Sequence, residues 1–397
     1  MIFRRYPAFY LSCLLAFTAG HMINYSVIIY AQEVLGSDLL SGIGFGLCFG
    51  PPIVLGWYAG VLCDRLAPVR LIHYAQVAFV VAALLLLVAD LAIGTPSARV
   101  PLFLLAALLA GVGWSFVSPA RMAAVTQVVR PEELRSGALA LNLLVMLGFG
   151  LGPLMIGLVR SVTGWWGVFV VACAFFVAGS ALLLGVESHP SSRPRRHVLA
   201  EIREGFAAIL RKPLLGQLML AAIVGYLAMG PMQVLLPRLA SARFGLGDLS
   251  RGVFLGTLAV ALMVGGLGAL KLASAVRSGV SILVATTLVG TLLASIGLVA
   301  AAGPAVALLF GVGVGGGFAL SLIVAGIQVN SDDAVRGRVL ATYTVVSQVV
   351  PAASGLAAGA LSEWLGPGNA MVLCGATIAA ATVANSLWMR ALRGARH

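Results

Sequence analysis

Charge is scarce in this chain. Only 10% of its 397 residues are Asp, Glu, Lys or Arg, and 13 acids stand against 25 bases. Soluble globular domains carry about 25% charged residues, so a water-soluble globule is excluded. Cysteine is also rare. Cys13, Cys48, Cys63, Cys173 and Cys374 show no C-x-x-C spacing and no histidine pair nearby, so neither a disulfide framework nor a metal site is implied. Catalytic signatures are missing too: there is no G-x-S-x-G, no H-E-x-x-H and no apolar run with paired His or Asp. An intramembrane enzyme is therefore disfavoured, and no cofactor is implied. The first apolar run is as long as a membrane span and no small-residue cleavage site follows it, so no cleavable signal is expected.

Hydrocarbon is what the chain has in abundance: 60% hydrophobic residues, 48 glycines and a mean hydropathy of +1.05. Hydrocarbon offers no partner to a bare backbone N–H or C=O, which favours helices of about 20 apolar residues. Twelve such segments can be drawn, the first at roughly 9–33, the eighth at 249–271 and the last at 368–390. The pattern predicts an all-α membrane protein with twelve transmembrane helices.

The net charge of +12 would point to nucleic acid if it were spread evenly. It is not. With the N-terminus inside, 20 of the 25 bases fall on the cytoplasmic side, and only Arg99, Arg160, Arg238, Arg243 and Arg251 fall outside. Positive loops stay in the cytoplasm, so the expected placement is the cytoplasmic (inner) membrane with both termini inside. No nucleic-acid partner is expected; membrane lipid is, and a monomer suffices.

Residues 187–212 divide the spans six and six. The expected domains are an N-terminal six-helix bundle at 1–186, a cytoplasmic linker at 187–212 and a C-terminal six-helix bundle at 213–397. The linker opens with Pro, Ser and Arg. It continues with Val198, Leu199, Ile202, Phe206, Ile209 and Leu210 near a 3.6 period, an amphipathic helix suited to the headgroup layer. An internal repeat supports the division. "RPEELRSGALALN" (130–142) and "SDDAVRGRVLATY" (331–343) each place an acid pair and then an arginine, Arg135 or Arg336, at the start of an apolar helix. Parallel six-helix halves are one known transporter design.

"GVLCDRLAPVR", with Gly60, Leu62, Asp64, Arg65 and Arg70, resembles the loop signature of the major facilitator superfamily between its second and third spans. Ala67 stands where that pattern has glycine, and Pro68 and Val69 where bases are common. "SPARMAAVTQVVRPEELRSGALALN" (118–142), "EGFAAILRKPLL" (204–215) and "DDAVRGRVLATY" (332–343) resemble the macrolide-efflux and enterobactin-exporter branch. Gly148, Gly152, Pro153 and Gly157 partly match the antiporter motif of the fifth span, with Ile156 replacing a glycine. The resemblance implies a secondary active transporter that exports an amphiphilic small organic molecule by alternating access, with proton antiport. A lipid or lysolipid flippase, or an uncoupled uniporter, is the alternative within the same fold. A receptor is disfavoured, since it would not need kinks and a polar interior.

In that superfamily the first, fourth, seventh and tenth spans line the cavity. The substrate-binding candidates are therefore His21, Asn24, Trp114, Ser118, Tyr226, Gln233 and Gln328, with Asn142 on the fifth span and Tyr343 and Gln348 on the eleventh. Amides, hydroxyls and aromatics suit a neutral or amphiphilic molecule rather than an inorganic anion. None of the 13 acids sits at mid-span. His21, whose unperturbed pKa lies near 6.5, and Glu33 are the proton-coupling candidates. Gly60, Asp64, Arg65, Arg70, Arg121, Gly152, Pro153, Asp333 and Arg336 are the gating candidates. Arg121 is read as a partner for Asp64 or for an anionic headgroup; the alternative roles are snorkelling for Arg121 and topology for Arg65 and Arg70. Bending is expected at Pro51 and Pro52, Pro153, Gly230 and Pro231, Pro237 and Pro351. The glycine run "FGVGVGGGFALS" in the tenth span reads as close helix packing rather than a phosphate loop.

An acid adds nothing to a positive-inside signal, so the latch idea rests on Asp64. Asp64→Asn is expected to slow transport and to change cysteine accessibility from the two sides of the membrane; unchanged values in both measurements would overturn it.

Overall fold

The computed structural model describes residues 2–190, 198–272, 278–332 and 335–394, and within these not the side chains of 57, 59–61, 63–64 and 198–202. Among the described residues there is no strand. In chain order the helices are α1 (Ile2–Arg5), α2 (Pro7–Glu33), α3 (Asp38–Phe49), α4 (Pro51–Arg65), α5 (Pro68–Ala92), α6 (Pro96–Val128), α7 (Leu134–Thr163), α8 (Trp165–Ala181) and α9 (Val198–Arg211). They continue as α10 (Pro213–Tyr226), α11 (Met229–Ala242), α12 (Asp248–Leu272), α13 (Ser278–Leu298), α14 (Ala302–Asn330), α15 (Arg336–Leu365), α16 (Pro367–Trp388) and α17 (Arg390–Gly394). Eleven segments among the described residues are long and apolar enough to cross a membrane, and Trp165–Ala181 is a shorter apolar helix. Together they give the twelve-helix membrane fold expected from hydropathy.

Two of the expected bends appear as breaks between helices. The second span divides at Gly50 into α3 and α4, with Pro51 opening α4. The seventh divides between Tyr226 and Met229 into α10 and α11, just before Gly230 and Pro231. Pro153, Pro237 and Pro351 lie inside helices, where each removes a backbone hydrogen bond.

The repeat is exact in its punctuation. α7 and α15 are both 30 residues long, begin 202 residues apart, and end at Gly164 and Gly366 with φ of 80° and 78°. That φ is left-handed and suits glycine. Ahead of each fifth helix an acid meets a base from the start of its own half: Arg5 Nη1 to Glu133 Oε1 at 2.8 Å, and Lys212 Nζ to Asp332 Oδ1 at 2.6 Å.

The chain forms two compact units, one of Met1–Pro194 with Leu246–Gly256, the other of Arg195–Gly245 with Thr257–His397. In the first unit α2 is the central helix and packs chiefly on α7, α8 and α3. Glycines set its spacing. A Cβ on Gly148 would lie 2.7 Å from Phe17 Cβ, and one on Gly152 would lie 2.7 Å from His21 Cβ. The opposite face of α7 receives the segment from the second sequence half: a Cβ on Gly252 would meet the Pro153 carbonyl oxygen at 2.6 Å, and one on Gly157 the Leu249 Cα at 3.1 Å. In the second unit α9 docks on α15. Glu204 pairs with Arg338, and Gly205 lies against the Arg338 backbone. Ile209 is buried, while Phe206 and Leu210 stay exposed.

The glycine run of α14 has the packing role expected of it. A Cβ on Gly317 would meet the Leu262 backbone, its Cα at 3.0 Å, whereas one on Gly316 would meet only Leu262 Cδ2 at 3.7 Å. Gly317→Ala is therefore expected to lower stability by about 1–3 kcal/mol, while Gly316→Ala leaves it unchanged; thermal unfolding midpoints in detergent check the pair.

Candidate functional site

α2 carries a row of polar groups that a span in contact with lipid would not tolerate. Thr18, His21, Asn24 and Ser26 are all buried, and Thr18, His21 and Asn24 follow the three-residue step that keeps side chains near one face. Among the described residues, Thr18 Oγ1, both ring nitrogens of His21, Asn24 Nδ2 and Ser26 Oγ have no hydrogen-bond partner. The His21 ring lies 5.0 Å from Trp114 and 5.3 Å, edge on, from Phe149. Asn24 Oδ1 accepts from Trp114 Nε1 at 3.0 Å, and Phe17 stacks on Trp114 at 6.4 Å. Gly20 makes room for the indole, since a Cβ there would sit 2.8 Å from Trp114 Cζ2. The structure thus brings His21, Asn24, Trp114 and Gly152 into one neighbourhood. Leaving a buried donor or acceptor unpaired costs about 1–3 kcal/mol, and five such atoms share this one helix.

The second unit has a smaller counterpart. The hydroxyls of Tyr226 and Tyr343 are 2.7 Å apart where α10 ends. Gln233, on α11, is buried and its Oε1 has no partner. Gln348 is half-buried on α15. Ser118, Asn142 and Gln328 are exposed on α6, α7 and the last turn of α14.

Glu33 lies in a ring of four charges. Arg160 Nη1 is 2.5 Å from Glu33 Oε2 and 3.4 Å from Asp248 Oδ1. Arg251 pairs with Glu33 Oε1 and with Asp248 Oδ1, the latter at 2.7 Å. Each arginine therefore bridges the same two carboxylates, and the charges cancel. Arg160 also lies over the Trp165 ring at 4.4 Å, a cation–π contact. The ring joins the ends of α2 and α7 to the first turn of α12. Arg160, Asp248, Arg251 and Trp165 are absent from the candidates drawn from sequence. The signal was available, because Arg160 and Arg251 are two of the five bases that break the positive-inside pattern. Two more of the five are also tied down: Arg99 lies 3.9 Å from Asp90 and donates to Tyr30 Oη at 3.2 Å, and Arg243 donates to the Gly297 and Leu298 carbonyls.

Arg121 departs from expectation. Its side chain is 0% exposed, so it neither snorkels nor meets a headgroup. Its Nη1 donates to Cys13 Sγ at 3.0 Å and its Nη2 to the Ser12 carbonyl at 3.3 Å, its guanidinium lies 5.5 Å from the Phe17 ring, and Nε has no partner. No carboxylate pairs with it among the described residues. Arg65 and Arg70 are exposed. Arg336 donates from Nε to the Gln328 carbonyl at 2.9 Å and so caps the end of α14. Gly60 and Asp64 fall on α4 but their side chains lie outside the described residues, as does Asp333 entirely. Pro153, beside Gly152, has no N–H to donate, which leaves the α7 turn around Phe149 without one hydrogen bond.

Twelve apolar spans in two repeats, with polar side chains buried along the first and breaks in the second and seventh, define a polytopic membrane transporter. The family model described as Major Facilitator Superfamily matches residues 9–355, and the chain belongs to that superfamily. Among its relatives are the enterobactin exporters EntS of Shigella boydii serotype 4 (strain Sb227) and of Escherichia coli O1:K1 / APEC, each 26% identical over 298 residues, 72% of this chain and 68% of theirs. Among solved structures, a POT family transporter bound to a thioalcohol-conjugated peptide superposes with a TM-score of 0.75 at 12% identity, over 98% of this chain and 96% of that one. A bacterial homologue of the human lysosomal transporter Spinster, inward-facing and unoccupied, gives 0.70 at 15% identity, over 97% and 95%. These two likenesses concern the fold.

Glu33→Gln would leave Arg251, 4% exposed, with one carboxylate in place of two. The expected loss is on the order of 2 kcal/mol, less than the 3–5 of a fully buried pair because Glu33 retains 22% exposure. Adding Arg251→Gln is expected to cost less than the two single losses together; thermal midpoints of the three variants measure the coupling.

Proposed function

We propose that this transporter exports an amphiphilic small organic molecule by alternating access, with proton exchange. The observation that carries the reading is the row of unpartnered polar atoms on α2, set against Trp114 and Phe149. Neutral donors and acceptors beside aromatic faces match a ligand that is polar at some edges and apolar elsewhere. Buried polar groups without partners are costly, and a substrate that satisfies them in passing accounts for their presence. The EntS relatives export enterobactin, and an organic molecule of that amphiphilic kind is the substrate class we favour here. Tyr226, Tyr343 and Gln233 supply the corresponding polar groups of the second unit.

His21 is the proton-coupling group in this reading. Neither of its ring nitrogens has a partner among the described residues, so an incoming proton or a substrate hydroxyl has no bond there to displace. Glu33 serves the gate instead, because its carboxylate is already engaged by two arginines. The ring that it forms with Arg160, Asp248 and Arg251 closes the extracytoplasmic end, and the glycine contacts of Gly157 and Gly252 seal it. With the inner membrane as the setting and both termini on its cytoplasmic side, Asp64, Arg65, Arg70 and Arg336 belong to the opposite gate in this reading. A ring whose opening costs a few kcal/mol is suited to a two-state equilibrium that ligand binding can reverse.

Uncoupled transport, or the flipping of lipid or lysolipid, is the second reading. It is favoured by one observation: no carboxylate lies near the middle of a span in the sequence. Flux of catecholate siderophores, macrolides and lysolipids into proteoliposomes, with and without an imposed pH gradient, separates the two. The gradient is expected to accelerate flux, and His21→Gln to abolish the acceleration while downhill flux persists. Flux indifferent to the gradient would overturn antiport in favour of the second reading.

A further inference from the structure

The second unit has a groove on its outer surface between α13 and α16, with a volume of about 480 Å³. Its floor and one wall come from a single face of α13. Val280, Val284, Leu288 and Thr291 recur at three- and four-residue steps, and Val383 and Ser386 of α16 face them. The hydroxyls do not make the groove polar. Thr287 donates to the Leu283 carbonyl at 2.9 Å, Thr291 to Thr287 at 2.9 Å and Ser386 to Val383 at 2.6 Å. Each hydroxyl is satisfied by its own helix, so what faces outward is hydrocarbon. Val284 is 61% exposed and Val383 52%. Among the described residues, those that line it belong to α13, α16 and α17.

From Val280 to Thr291 the groove runs roughly 16 Å along α13, at about 1.5 Å per residue. That is close to half of an approximately 30 Å hydrocarbon core, or one leaflet. One end of it is marked by three features. Arg393 lines the groove there. α17, which carries Arg393, packs at the start of α13: Gly279 lies against the Leu392 backbone. Trp388, 83% exposed, ends α16 at the same end, and an exposed tryptophan at a span end is characteristic of the headgroup level. Arg393 makes one weak bond, from Nη2 to the Leu387 carbonyl at 3.4 Å, and pairs with no carboxylate among the described residues. A groove of leaflet length with a guanidinium at its headgroup end that meets no carboxylate among the described residues complements the two-part chemistry of an anionic phospholipid.

We propose that this groove is a binding site for one anionic phospholipid. An acyl chain lies along α13 from Val280 to Thr291, and the phosphodiester accepts hydrogen bonds from Arg393. The site is separate from the polar row on α2, and its occupancy does not depend on what is transported.

The test uses the full-length protein released from detergent for native mass spectrometry, titrated with phosphatidylglycerol or phosphatidylcholine of the same acyl chains. One phosphatidylglycerol is expected to be retained about five-fold more tightly than phosphatidylcholine, from a single basic side chain. Arg393→Gln should bring the two lipids level. Val284→Trp, a change at a lipid-exposed position that leaves the fold intact, should remove the retained lipid of either kind. Leu91→Trp, at an exposed position of α5 outside the groove, should change neither. Equal retention of both lipids by the wild type, or retention unaltered in Arg393→Gln and Val284→Trp, would overturn the proposal. So would displacement of the lipid by millimolar glycerol phosphate, which would make this an anion site with no use for the groove.

Discussion

Backbones that must touch are the constraint on which this structure depends. In hydrocarbon, an apolar side chain gains nothing by leaving lipid for protein, so helices associate through close van der Waals contact and shared polar groups. The 48 glycines are the means. Gly148 and Gly152 bring α7 onto α2, and that approach positions Phe149 against the His21 ring. Gly20 admits the indole of Trp114, which then reaches Asn24. The polar row of α2 is therefore held in place by residues that have no side chains of their own, and its chemistry follows from packing.

Charge obeys a second rule once packing is fixed. A charge taken out of water must find partners, and the chain answers in two ways. Glu33, Arg160, Asp248 and Arg251 neutralise one another in a closed ring. Arg121 is surrounded by a hydroxyl, a thiol, a carbonyl and an aromatic face, with no acid among its described partners. The ring is a contact between helix ends, where its partly exposed members keep some access to water. The Arg121 site lies inside the packing of α2 and α6, where it acts as a fixed part of the first unit.

Much of this was legible in the sequence, and the reasons are physical. Span number, the breaks near Pro51 and Pro231, the packing role of the α14 glycines and the repeat at 130–142 and 331–343 all follow from local composition, which needs no partner to be read. Within the candidate site, His21, Asn24 and Trp114 could be found because polar residues in an apolar run are conspicuous. Thr18, Ser26 and Phe149 could not, since nothing in a single helix distinguishes a serine or phenylalanine beside a buried polar row from one packed elsewhere. The ion ring was half visible. Five bases stood against the charge asymmetry, but which acid each would meet depends on contacts between residues as far apart as Glu33 and Arg251. For Arg121 the sequence left a contact with Asp64 or a headgroup beside snorkelling to the surface; its burial removes the surface readings, because burial is a property of the fold around a helix end and not of the helix itself.

The first unit includes Leu246–Gly256, residues from beyond the midpoint of the chain. A ribosome working from the N-terminus completes the six helices of the first sequence half long before it reaches them. During that interval the face of α7 around Gly150, Pro153 and Gly157 has no protein covering it, and Glu33 and Arg160 have only each other. The contacts of Glu33, Arg160 and the α7 glycines with this segment therefore wait until the second half of the chain has begun to be made.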